Sequence, residues 1–225
     1  MRPDLAARID YLSPRFRDGW GGPLNGQSQR QQLVRDLYQA IPFTATIETG
    51  SFRGHTTSFF AAVSGKPVHS VESNARYLEY ARRNCAVYPN VTFTPGDSRP
   101  FLRRQVASLD GPLFLYLDAH WYDDLPLAEE ITSVAEAKKS AVIMIDDFEV
   151  PGDPGYWFDD YGDGARLTAE LLAPLPLDGW GRFYPSVASR DESGLRRGCV
   201  VLCSSDLVES TASIAGLSKR TFSTS

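Results

Sequence analysis

Glu48, Glu72, Asp97, Asp118 and the pair Asp146-Asp147 each stand where a short apolar or β-branched run gives out, and these carboxylates set the chemistry open to the chain. A carboxylate accepts hydrogen bonds from paired hydroxyls, attracts cationic ligands and offers hard oxygen donors to a divalent cation. It repels a pyrophosphate. The glycines beside the first acid, in Glu48-Thr-Gly50-Ser-Phe-Arg-Gly54-His-Thr56, are spaced Gly-x-x-x-Gly and not Gly-x-Gly-x-x-Gly, which suits close backbone approach to a ligand without phosphates.

The elements that must position these acids alternate regularly. Strand-like runs at residues 44–47, 68–71, 91–94, 113–117 and 141–145 are separated by helical patterns, the clearest of them capped by Asn74. A further helix at residues 27–40 has Leu33, Val34 and Leu37 on one face, and strands are expected at 182–184 and 199–203. Parallel neighbours need crossover connections, so this alternation predicts a doubly wound α/β fold, a mostly parallel sheet with helices on both faces and the last strand antiparallel. Ligands bind such sheets outside the carboxyl ends of the strands, where all the acids fall.

The rest of the chain is organised around that core. Its 225 residues suit one domain: an N-terminal lid and helical region (1–43), a core (44–204) and a loosely ordered tail (205–225). Residues 1–25 read as irregular, 151–164 as a long loop over the site and 166–173 as a helix. A net charge of -5 without a Lys/Arg run argues against nucleic acid as a partner. No stretch is apolar enough to span a membrane and no signal core is visible at the N-terminus. Cys85, Cys199 and Cys203 have no metal-site spacing, so a reducing, cytoplasmic setting is expected. The expected partner is a small hydroxylated molecule, and a homodimer is left open.

S-adenosylmethionine matches the acidic rim, because it has no phosphate and carries a sulfonium and an ammonium. Glu48 would face its amino-acid end or orient the loop beside it. Glu72 suits the ribose hydroxyls, Asp97 and Ser98 the adenine edge, and Thr56 the carboxylate at a helix start. From Glu48-x-Gly50-x-x-x-Gly54 through Glu72 to Asp97 the chain resembles the class I S-adenosylmethionine-dependent methyltransferases. Phe114-Leu-Tyr-Leu-Asp118-Ala-His120-Trp121 and Val142-Ile-Met-Ile-Asp146-Asp147 are similar to the Mg2+-dependent small-molecule O-methyltransferases of the catechol and macrocin type. That resemblance implies a metal held by Asp118, Asp146 and Asp147, and adenine contacts from His120 and Trp121. The chain departs from the catechol enzymes at Ala119, an insertion, and at Tyr122, where they carry a catalytic lysine. The proton acceptor is therefore sought in His120 or Asp118, with His120 also able to orient the adenine. Two alternatives are a methyltransferase-fold binding protein without transfer activity and another metal-dependent enzyme on the same fold.

Overall fold

The computed structural model describes residues 2–13, 21–120, 124–162 and 164–219. Helix α1 spans Pro3–Leu12 and α2 Ser28–Ala40. The alternating core follows as β1 (Ala45–Thr49), α3 (His55–Ser64), β2 (Val68–Glu72), α4 (Ala75–Asn84), β3 (Val91–Pro95), α5 (Ser98–Ser108), β4 (Leu113–Leu117), α6 (Leu127–Glu136) and β5 (Ala141–Asp146). It closes with α7 (Ala169–Leu172), β6 (Gly181–Pro185), β7 (Cys199–Cys203), α8 (Val208–Ala212) and β8 (Leu217–Ser218).

The strands lie in the order β3-β2-β1-β4-β5-β7-β6-β8. β1 to β5 are mutually parallel, and β7 runs antiparallel to both β5 and β6. This is the doubly wound sheet expected, with one addition: β8 pairs antiparallel with β6 at the far edge.

β4 and β5 are buried at every position because helices cover both faces of the sheet. Leu113, Leu115 and Leu117 pack with Phe101 and Leu102 of α5 and Leu127, Ile131 and Val134 of α6. The alternate residues Phe114 and Tyr116 pack with Leu33, Val34 and Leu37 of α2 and Phe60 of α3. One register therefore serves two cores, as the two-residue period of a strand requires. No helix among the described residues is long and apolar enough to cross a membrane.

Three expectations are corrected. The N-terminal stretch contains α1, which buries Ala6, Ala7 and Asp10 and leaves Leu5, Ile9 and Leu12 exposed, so hydrophobic periodicity pointed away from its packed face. Asp10 is held by two bonds from Arg76, at 2.6 and 2.7 Å. The expected loose tail is folded through residue 219, as a short helical turn, α8 and β8. The helix expected at 166–173 shrinks to Ala169–Leu172, because Leu167 instead pairs its backbone with Glu149 and Asp159.

Candidate active site

The strand order reverses direction between β1 and β4, and the turn after β1 lies against the end of β4. Gly50 has φ +82° and donates its N–H to the Val71 carbonyl at 3.1 Å. A Cβ there would stand 2.3 Å from the Asp118 carbonyl oxygen, so glycine is needed for both conformation and space. Gly54 has φ +73°, and a Cβ would meet Ala81 at 3.0 Å, which makes it a packing glycine between α3 and α4. Gly65, with φ +59° and open surroundings, separates the two requirements. Gly50→Ala is expected to cost roughly 3 kcal/mol and Gly65→Ala about 1 kcal/mol in urea unfolding. Equal losses would contradict the close approach.

Around this turn the acids divide into distinct tasks. Glu48 is wholly buried and accepts from Thr57 Oγ1 at 2.5 Å and Ser70 Oγ at 2.6 Å, so it orients the loop from beneath. Burial pushes its carboxyl up to about 7, against the pull of those two hydroxyls. Glu72 accepts from the Phe52 N–H at 2.7 Å and the Asn74 N–H at 2.8 Å, one on each oxygen, and burial raises its pKa. Each oxygen keeps a second lone pair. Thr56 Oγ1 accepts the Leu24 N–H at 3.1 Å, which docks the turn Pro23–Gly26 on the start of α3. Asp97 caps α5 through the Arg99 N–H at 2.8 Å and is half-exposed beside Arg99. Ser98 is buried and faces Glu130, whose carboxyl burial pushes up to about 7.

The metal set expected from the sequence comes together only in part. Asp118, His120 and Asp147 each bring one ligand atom within 4.8 Å of the others. Asp146 is excluded from that set: one of its oxygens pairs with Arg30, and the other accepts from Tyr116 Oη at 2.6 Å and Asn25 Nδ2 at 2.8 Å. Asp147 sits at φ +54°, an uncommon conformation for a non-glycine residue, and accepts Arg197 Nε at 2.5 Å on Oδ1. The same guanidinium reaches Asp159 Oδ1, while Tyr161 Oη donates to Asp159 Oδ2.

His120 lies between these groups, with its side chain 2% exposed. Nε2 is 4.0 Å from Asp118 Oδ1 and 3.7 Å from Asp159 Oδ2, and among the described residues it has no hydrogen-bond partner. Burial lowers its pKa, against the nearby carboxylates. Asp118 shows 34% of its side chain at the surface, yet it stands on a floor of protein and other acids. Desolvation there, then Asp146 and Asp147, hold its carboxyl well above the usual range. Asp147 is pushed up to about 7, first by burial and then by Asp146, with Arg197 opposing. Trp121, expected at the adenine, lies outside the described residues.

Arg30, Asn25, Tyr116, Asp159 and Arg197 complete the centre without having been singled out as site residues, and Glu130 stands apart from it beside Ser98. Arg30 was findable, since it precedes Leu33, Val34 and Leu37 on the buried face of a predicted helix, where an unpaired charge is not tolerated. Asp159 and Arg197 lie in irregular segments that carry no periodic signal, and only the folded chain brings them to Asp147.

No family model matches the sequence, and no curated protein matches it. Among solved structures it is similar to the O-methyltransferase TomG from Streptomyces achromogenes, involved in tomaymycin synthesis and in complex with SAM, at TM-score 0.60 and 18% identity over 88% of this chain and 89% of that one. It is similar to cofactor-bound Rv0187 from MTB at TM-score 0.58 and 19% identity, over 90% and 88% of the two chains. An O-methyltransferase from Bacillus cereus in complex with SAH aligns at TM-score 0.56 and 17% identity, over 90% of each chain. The chain therefore has the Rossmann-like fold of these structures.

Proposed function

We propose that the chain is an S-adenosylmethionine-dependent O-methyltransferase acting on a hydroxyl of a small molecule, such as a sugar, phenol or secondary metabolite, with a divalent cation beside the reacting oxygen. The observation that carries this reading is the carboxyl edge of β1, β2 and β4. It places a close-approach glycine, an acid with two spare acceptor positions and a cluster of open donors around the point where the strand order reverses.

The residues fit both groups. Glu72 would take the two ribose hydroxyls on its remaining lone pairs, and Gly50 admits the ligand against the backbone. S-adenosylmethionine supplies a sulfonium methyl carbon that an oxygen nucleophile attacks in line. Asp118 and Asp147 would hold the cation, Mg2+ by the resemblance, which lowers the pKa of the acceptor hydroxyl. The hydroxyl proton has two candidate acceptors, Asp118 and Nε2 of His120. Asp146 orients Tyr116, Asn25 and Arg30 with both of its oxygens. The cytoplasm suits a chain with three free cysteines.

Calorimetry with S-adenosylmethionine tests the reading: binding is expected, and none at millimolar ligand would overturn it. Glu72→Ala is expected to weaken that affinity about 100-fold, since it removes charged acceptors for two hydroxyls and frees the loop. An unchanged affinity would move the ribose elsewhere.

A second reading is favoured by Arg197, which already occupies one oxygen of Asp147. A chain that binds the cofactor without transferring its methyl needs no metal there. Cofactor binding without methylated product across hydroxylated acceptors would support it, and any such product would exclude it.

A further inference from the structure

Counting the lone pairs of the acidic centre shows which donors remain open. Both oxygens of Asp146 are taken, by Arg30 on one side and by Tyr116 and Asn25 on the other. Each oxygen of Asp159 already accepts one bond, from Arg197 and from Tyr161, which turns the carboxylate toward them. Among the described residues the open donors are the carboxylate of Asp118, the second oxygen of Asp147 and Nε2 of His120. Two carboxylates and one imidazole thus converge, and the imidazole is the buried member with no partner.

We propose that His120 is a metal ligand through Nε2, in a set with Asp118 and Asp147, and that this set selects a borderline first-row ion such as Co2+ or Zn2+ over Mg2+. The proposal deepens the function argued above, because it assigns the cation of that same site and its third protein donor and leaves Asp118 as the proton acceptor, a metal-bound Nε2 having no lone pair to spare.

Three observations carry it. Nε2 is buried 4.0 Å from Asp118 Oδ1, too far for a hydrogen bond and suited to a shared ion between imidazole and acid. Four carboxyl groups here face two guanidiniums, Arg30 and Arg197, so with all four ionised two negative charges would remain for a divalent cation to balance. The donor chemistry decides which ion. Mg2+ takes oxygen ligands and dehydrates reluctantly, whereas imidazole suits the later first-row metals. Donor atoms within 4.8 Å of one another must close to about 3.0–3.4 Å to share an ion at ~2.1 Å, a movement of up to about 1.8 Å that side-chain rotation at Asp118 and Asp147 can supply.

Chelator-treated full-length protein would be titrated with Co2+, Mn2+, Zn2+ and Mg2+ by calorimetry, with visible ligand-field bands recorded for Co2+ and nitrogen hyperfine coupling for bound Mn2+. At least about 100-fold tighter binding of Co2+ than of Mg2+ is expected, with imidazole nitrogen coupled to the bound Mn2+. His120→Ala should remove the nitrogen coupling and weaken Co2+ about 100-fold, while Mg2+ affinity changes less than about 3-fold. His120→Asn keeps a polar side chain of similar reach and serves where the alanine variant unfolds. Equal Co2+ and Mg2+ affinities, bound Mn2+ without nitrogen coupling, or no binding of any of the four ions would each overturn the proposal. S-adenosylmethionine binding is read separately in the same protein, so a failed metal site and a failed cofactor site give different results.

Discussion

Arg30→Met is expected to lower the unfolding free energy by about 3–5 kcal/mol, and addition of Asp146→Asn to recover most of that loss. Arg30 and Asp146 are each only 2% exposed, so removing the cation leaves a carboxylate in the core without its counter-charge. The guanidinium also donates to the Arg197 carbonyl, which then depends on Gln27 Nε2 at 3.0 Å alone. Methionine fills the volume of the arginine stem, so charge and not cavity dominates the comparison. Urea midpoints at constant m-value provide the measurement. A double variant no more stable than Arg30→Met would show that packing, and not the buried pair, sets the cost. The same variants separate two roles for neighbouring acids: Asp146→Asn should act on stability and leave metal affinity within about 3-fold, whereas Asp147→Asn removes an open donor and should weaken metal binding roughly 10–100-fold.

The second large effect is on pH dependence. The folded protein holds a proton on Glu48 up to about pH 7, while the unfolded chain releases it near 4.5. Between those values the unfolded state binds fewer protons than the folded one, so stability falls as pH rises across the window and levels off above it. The interval corresponds to about 3 kcal/mol for a single group. Glu130 and Asp147 are raised in the same direction, so the Glu48 contribution must be isolated by difference. Unfolding free energies of wild type and Glu48→Gln, compared at pH 4.5 and pH 8, should differ in their pH response by about 3 kcal/mol, the variant being flatter. Parallel curves would mean that Glu48 stays ionised in the fold. The physical reason for the effect lies in its surroundings: among the described residues it has two hydroxyl donors, no paired cation, and one oxygen with no partner.

These two groups illustrate the different legibility of fold and site. Local sequence pattern was enough for the sheet. Leu113–Leu117 and Ala141–Asp146 are uninterrupted apolar runs, their burial on both faces follows, and parallel pairing follows from the helices between them. The cap at Asn74 was equally local, because a side-chain acceptor two and three residues before Arg76 and Tyr77 needs no tertiary context. Helix α1 was missed for a local reason too: small alanines and an acid form its packed face, so no apolar period marks it.

The sequence by itself determined that acids would gather at one edge of a doubly wound sheet, since each ends a strand and parallel strands share a carboxyl edge. Only the tertiary structure decided what each acid is bonded to. Asp146 and Asp147 are adjacent in the chain and equivalent by composition, yet Asp146 is consumed by Arg30, Tyr116 and Asn25 while Asp147 keeps an oxygen free. That difference arises from partners 30 to 121 positions away, which no local pattern encodes. Backbone hydrogen bonding and hydrophobic period act over a few residues, whereas the assignment of charges is settled by which distant side chains close the core around them.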